Sequence, residues 1–114
     1  MKIAVPIIHD GGADPVIDHR WGRADWVAVA DVIDGGISNW QEIEVSWDKL
    51  HDEGTHGSHH ARISKFLTSN GITMVVADHM GEGMLRMLDT MKITIALDAS
   101  GPAKAAVQSA ISLT

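Results

Sequence analysis

The chain has 114 residues, with 15 acidic and 9 basic side chains and a formal net charge of −6. It is the size of one domain and long enough to fold without disulfides or a structural metal. Cysteine is absent, which excludes disulfide scaffolds, thiolate-held zinc or iron–sulfur clusters and thiol nucleophiles, and the acidic balance argues against nucleic-acid binding.

Residues 2–8 form a nearly continuous apolar run, as expected of a strand buried on both faces. Turn residues from His9 to Pro15 break it, and residues 16–24 read as a loop. Residues 25–33 predict a second strand, Asp34-Gly35-Gly36 a hairpin turn, and residues 37–47 a third strand of edge-like polarity, antiparallel to the second. Residues 48–57 read as a loop. Ser58 is placed to cap a helix from His59 to about Ser69, with Ile63, Phe66 and Leu67 on its apolar face and Asn70-Gly71 as its stop. Residues 72–77 predict a fourth strand and residues 78–83 a glycine-containing loop. Met84, Leu85, Leu88 and Met91 stripe a second helix. Residues 92–97 predict a fifth strand, after which Ser100 is placed to cap a third helix striped by Ala103, Ala106, Val107, Ala110 and Ile111.

The order β-β-β-α-β-α-β-α predicts an α/β fold, a mixed five-stranded sheet covered by helices. Pairing is antiparallel early and parallel late, with right-handed crossovers. Ligands of such sheets sit outside the carboxyl ends of the parallel strands. Here that rim gathers His9-Asp10, residues 78–83 and Asp98-Ala99-Ser100. No apolar run reaches the roughly 18 residues of a membrane span. The short apolar start has no signal-peptide cleavage site, so a cytoplasmic location is expected.

Three segments carry candidate chemistry. The first is His51-x4-His56-x2-His59-His60, four of the chain's 7 histidines within ten positions. Imidazole is the main metal ligand when thiolate is absent. His56, His59 and His60 are therefore candidate metal contacts, although the segment also reads as a polar loop that happens to be histidine-rich. The second is Asp78-His79-Met80-Gly81-Glu82-Gly83-Met84 between a strand and a helix. Gly81 and Gly83 permit close backbone approach, the helix N–H groups favour an anion, and His79 and Met80 are borderline or soft ligands. Met84 and Met91 read as core. The third is His19-Arg20-Trp21-Gly22-Arg23-Ala24, in which Arg20 and Arg23 can hold an anion by charge-assisted hydrogen bonds, or form a surface loop of solvated arginines with a packed Trp.

The opening Met1-Lys2-Ile3-Ala4-Val5-Pro6, the loop Trp21-Gly22-Arg23-Ala24, the histidine-rich segment before the first helix and the stretch Val75-Val76-Ala77-Asp78-His79-Met80-Gly81-Glu82-Gly83-Met84 occur in the order of a known family. Over nearly its whole length the chain resembles the dinitrogenase iron–molybdenum cofactor biosynthesis family, which includes nitrogenase cofactor carriers and orange-protein-like domains. The resemblance implies a ribonuclease-H-like three-layer α/β/α fold without nuclease activity. It also implies non-covalent binding of a metal–sulfur cluster containing molybdenum with iron or copper, or of its precursor, with a cluster donor or acceptor protein as partner and the chain a monomer or weak homodimer. Where the family commonly has His-Phe-Gly-Arg, this chain has Arg20-Trp21-Gly22-Arg23, with His19 one position earlier.

Two other readings compete. A carboxylate–metal hydrolase would place Asp10 and Asp78 around divalent ions, but the first predicted helix offers no acidic residue to complete the set. A non-catalytic interaction module would use Trp40 and Trp47 as exposed contacts on the edge-like third strand, with dimerisation along that edge.

Overall fold

In strand β1 (Lys2–Ile8) the five central residues are all buried, and their side chains divide between the two faces of a sheet. Ile3, Val5 and Ile7 enter one core and Ala4 the other, which is the alternation a pleated strand imposes. The computed structural model describes residues 1–113, apart from the side chain of His56. β1 is flanked on one side by β3 (Trp26–Ile33), which pairs antiparallel with it and then with β4 (Gly36–Glu44). On the other side it pairs in parallel with β5 (Met74–Val76), which pairs in parallel with β6 (Thr94–Ala96). The sheet order is β4-β3-β1-β5-β6.

The sheet has six strands rather than the expected five. The extra one, β2 (Val16–Ile17), lies in the stretch that read as loop and pairs antiparallel with the end of β1. Two residues carry no detectable alternation, so the sequence gives no sign of it. Elsewhere β3 and β4 meet at the expected Asp34-Gly35 turn, where both residues have positive φ. Among the described residues four α-helices cover the sheet. Helices α1 (Trp47–His51), α2 (His56–Ser69) and α3 (Glu82–Thr90) pack on one face, around a core containing Trp47, Ile63, Leu67 and Leu88. Helix α4 (Ala103–Ser112) packs alone on the other, through Ala103, Val107 and Ala110. The molecule is thus a three-layer α/β/α arrangement around a mixed sheet.

Three boundaries differ from expectation for local physical reasons. Trp47 does not close a strand: it opens α1 and is 2% exposed, stacked edge-on between Trp21 and Phe66. It is a core residue, not an exposed contact. Ser58 does not cap α2. Thr55 does, its hydroxyl accepting from the Ser58 N–H while the Ser58 hydroxyl accepts from the Thr55 N–H. This reciprocal pair starts the helix three residues early. Ser100 does not cap α4, whose N-cap is Pro102 with no side-chain bond. Among the described residues no helix is long and apolar enough to cross a membrane.

Candidate functional site

A cleft of about 500 Å³ opens where the carboxyl end of β5 faces the loop before β3 and the first turns of α2. Its walls are far apart in sequence. Arg20, Trp21, Gly22 and Arg23 form one side and His79, Met80, Gly81, Gly83 and Met84 the other, and an isolated parallel bridge between Arg20 and His79 joins them. His51, His59 and His60 complete the lining. The expected site residues Arg23, His59, His60, His79, Met80, Gly81 and Gly83 therefore converge on one cavity. His56 lies outside the described residues as regards its side chain. Arg20 and His51, members of the arginine loop and the histidine cluster, also line the cleft, as do Trp21 and Gly22, whose one signal in the sequence is proximity to Arg23.

The floor of the glycine-loop side is the N-terminus of α3. Gly81 is its N-cap, with no side-chain bond to the first turn. The first helical amide bond runs from Leu85 N–H to the Gly81 carbonyl, so the amides of Glu82, Gly83 and Met84 have no partner within the helix. The cleft borders this uncapped, partially positive end. A Cβ on Gly83 would lie 3.2 Å from Cε1 of His60. Glycine at this position thus lets α3 approach α2 closely, with the His60 ring against the α3 terminus.

The histidines do not act as one ligand group. His59 is 3% exposed, and both of its ring nitrogens are engaged. Nε2 is 2.7 Å from the Gly22 carbonyl and Nδ1 is 2.8 Å from Nη1 of Arg62. A carbonyl only accepts and a guanidinium only donates. Nε2 must therefore carry the proton and Nδ1 must accept, which makes His59 a neutral imidazole of fixed tautomer. Burial pushes its pKa below the ordinary histidine value. The expectation that His59 ligates metal is corrected on these grounds: no ring nitrogen remains for it. Arg62 also donates to the Leu50 carbonyl at 3.3 Å. A ladder from Gly22 through His59 and Arg62 to Leu50 thereby fastens the loop before β3, α2 and α1 to each other. Among the described residues no three His, Asp or Glu side chains are grouped to hold a metal ion.

The two arginines differ in how they are held. Arg20 forms a paired contact with Asp18, from Nε to Oδ1 and from Nη2 to Oδ2, each at 3.1 Å. Asp18 is itself buried, and this pairing raises the Arg20 pKa above its usual value. Arg23 reaches Asp48 at 3.2 Å and Asp52 at 3.4 Å, both in or beside α1. The indole N–H of Trp21 is buried and meets no acceptor among the described residues.

The carboxylates that a hydrolase would use are spent elsewhere. Asp78 is bound to His19 at 2.8 Å, and Asp10 accepts the Gly12 N–H. His9 lies outside the cleft, stacked on Trp26 and bonded to Glu42.

The family model for the dinitrogenase iron–molybdenum cofactor matches residues 1–113. The chain belongs to that family. Solved structures agree on the fold. The crystal structure of the protein PH0822 is similar with a TM-score of 0.79 at 17% identity, covering 100% of this chain and 93% of that one. The apo form of the orange protein from Desulfovibrio gigas is similar with a TM-score of 0.78 at 20% identity, covering 97% and 87%. An NMR structure of a NifB-like Thermotoga protein of the DUF35 family gives 0.71 at 17% identity, covering 95% and 84%. At these identities the likeness establishes the fold alone. No curated protein matches the chain.

Proposed function

We propose that this protein is a carrier, not an enzyme, and that its cleft holds an anionic metal–sulfur cluster or a precursor of one without covalent attachment. One observation carries the reading: a chain of net charge −6 lines its cleft with two arginines, three histidines besides the neutral His59 and the N-terminus of α3, and with no carboxylate among the described residues. Local charge of one sign against the global charge selects an anion. A sulfide-rich anion is well matched to such walls, because its sulfurs accept hydrogen bonds from amides, guanidinium and imidazole. With no cysteine available, the sulfide arrives with the cargo.

Within this reading Arg23, His60, His79 and the Gly81 and Gly83 backbone face the anion, and Met80 offers a soft thioether. His56 belongs to the same first turn of α2 and is kept as a candidate contact. The unpartnered Trp21 N–H, on a ring that lines the cleft, is a further donor. We take the cargo to be a cluster of molybdenum with iron, as the family's name suggests, or with copper, and its exchange implies a donor or acceptor protein. We read the three-layer frame as ribonuclease-H-like with its catalytic carboxylates diverted, and the protein as cytoplasmic and a monomer or weak homodimer.

The test is anaerobic incubation of untagged protein with tetrathiomolybdate, with and without copper or iron, followed by desalting, elemental analysis and an absorption spectrum. Stoichiometric metal with charge-transfer bands is expected. An Arg23→Ala/His60→Ala/His79→Ala variant should lose at least ten-fold in retention while keeping its circular dichroism. A wild-type protein that emerges colourless and metal-free overturns the reading.

A further inference from the structure

The cleft's positive charge is not free in this structure. Arg23 lines the cleft, yet its two Nη atoms are bonded to Asp48 and Asp52. The same Oδ1 of Asp48 lies 3.5 Å from Nη1 of Arg20. One carboxylate oxygen thus sits between both arginines of the wall. The two arginines are not equally movable. Arg20 is fixed by its paired bond to buried Asp18, whose Oδ1 also accepts the Arg20 backbone N–H. Arg23 has no buried partner: the side chains of Asp48 and Asp52 are 41% and 72% exposed. Exposed pairs of this kind are weak and exchange readily.

We propose that Asp48 is an internal competitor for the cleft's anion, setting its affinity by holding Arg23 until the anion takes that guanidinium over. The inference rests on the carrier reading and adds a regulator to it. Asp48 is a positioning residue: it does not line the cleft, and it acts through Arg23. Two consequences follow from its place in α1. When the anion wins Arg23, α1 loses its two links to that guanidinium but keeps the longer Asp48 contact to Arg20, Trp47 in the core and the Leu50 carbonyl on Arg62. Loading therefore loosens one short, surface-lying helix and leaves the rest of the fold in place.

The experiment is equilibrium binding of tetrathiomolybdate at low ionic strength to wild type, Asp48→Asn and Asp89→Asn. Asp89 sits near the far end of α3 from the cleft and removes the same charge without touching either arginine. Asparagine keeps the size of Asp48, and a thermal melt checks that the variant is folded. Asp48→Asn should bind about two- to fivefold more tightly than wild type, the scale of one exposed ion pair. Asp89→Asn should match wild type, and Arg23→Ala should erase the advantage when combined with Asp48→Asn. Hydrogen exchange at 48–51 should accelerate on loading wild type. Binding by wild type with no gain in Asp48→Asn, or an equal gain in Asp89→Asn, overturns this inference and leaves the carrier reading standing. No binding by any of the proteins overturns both.

Discussion

His59 was the residue most easily misjudged. Four histidines in ten positions suggest metal, and a ring one helical position from His60 invites a shared role. Its environment decides otherwise, because a buried polar ring must satisfy both nitrogens and those nitrogens are taken by Gly22 and Arg62. Replacing it with alanine strands the Gly22 carbonyl and an arginine donor. We expect a loss of about 1–3 kcal/mol in urea denaturation. The pH dependence has a definite sign. The His59 pKa is lowered on folding chiefly by burial, so the unfolded chain takes up the proton first as pH falls. Its contribution to stability is complete above about pH 6.5, the unfolded value, and is lost progressively as pH drops below that toward the folded value. Denaturation midpoints measured across this range should fall more steeply for wild type than for His59→Ala.

At the scale of elements, α2 depends on a start signal that is easy to overlook. The common capping box pairs Ser or Thr with Glu or Gln three residues on; here the pair is Thr55 and Ser58, so in the sequence the second member reads as the cap. Thr55→Val removes an acceptor from the first turn and should cost about 1 kcal/mol. The effect should be visible as a lower melting temperature and faster amide exchange at 56–60. The same short-range signals explain what was and was not legible. The β3–β4 hairpin announces itself by Asp34-Gly35-Gly36, and the end of α2 by Asn70-Gly71, because only a few residue types tolerate those backbone angles. Helix α1 has five residues, too few for a period of 3.6 to show, and Trp47 looked like the end of a strand. The sequence shows the cleft as three separate segments. That they meet depends on β1 lying between β3 and β5, and the carboxylates holding Arg23, from Asp48 and Asp52, come from positions no local pattern connects.

The whole molecule is one sheet with a core on each face, and the cleft belongs to only one of them, the face carrying three helices. The other face, closed by α4 alone, has no part in the site. Binding energy must nevertheless reach the entire fold. The walls come from residues 20–23, 51, 59–60, 79–81 and 83–84, brought together across β1, so the unfolded chain has no cleft. A ligand that binds only the folded form at 100 times its Kd adds about 2.7 kcal/mol to stability. Thiomolybdate at such a ratio should raise the urea midpoint accordingly, with an unchanged slope if the unfolded chain binds none.

The division of the cleft between distant segments has a consequence for the protein's lifetime. A chain still emerging from the ribosome possesses residues 20–23 well before residue 84, and so cannot sequester cargo until its synthesis has passed that point. Once cargo is seated, every opening that separates the two walls must also expel it. At 100 times the Kd, such openings become about 100-fold rarer. A protease that attacks only opened chains should therefore spare loaded molecules and clear empty ones, and on the proposed function the amount of this protein in a cell would follow the amount of ligand there to fill it.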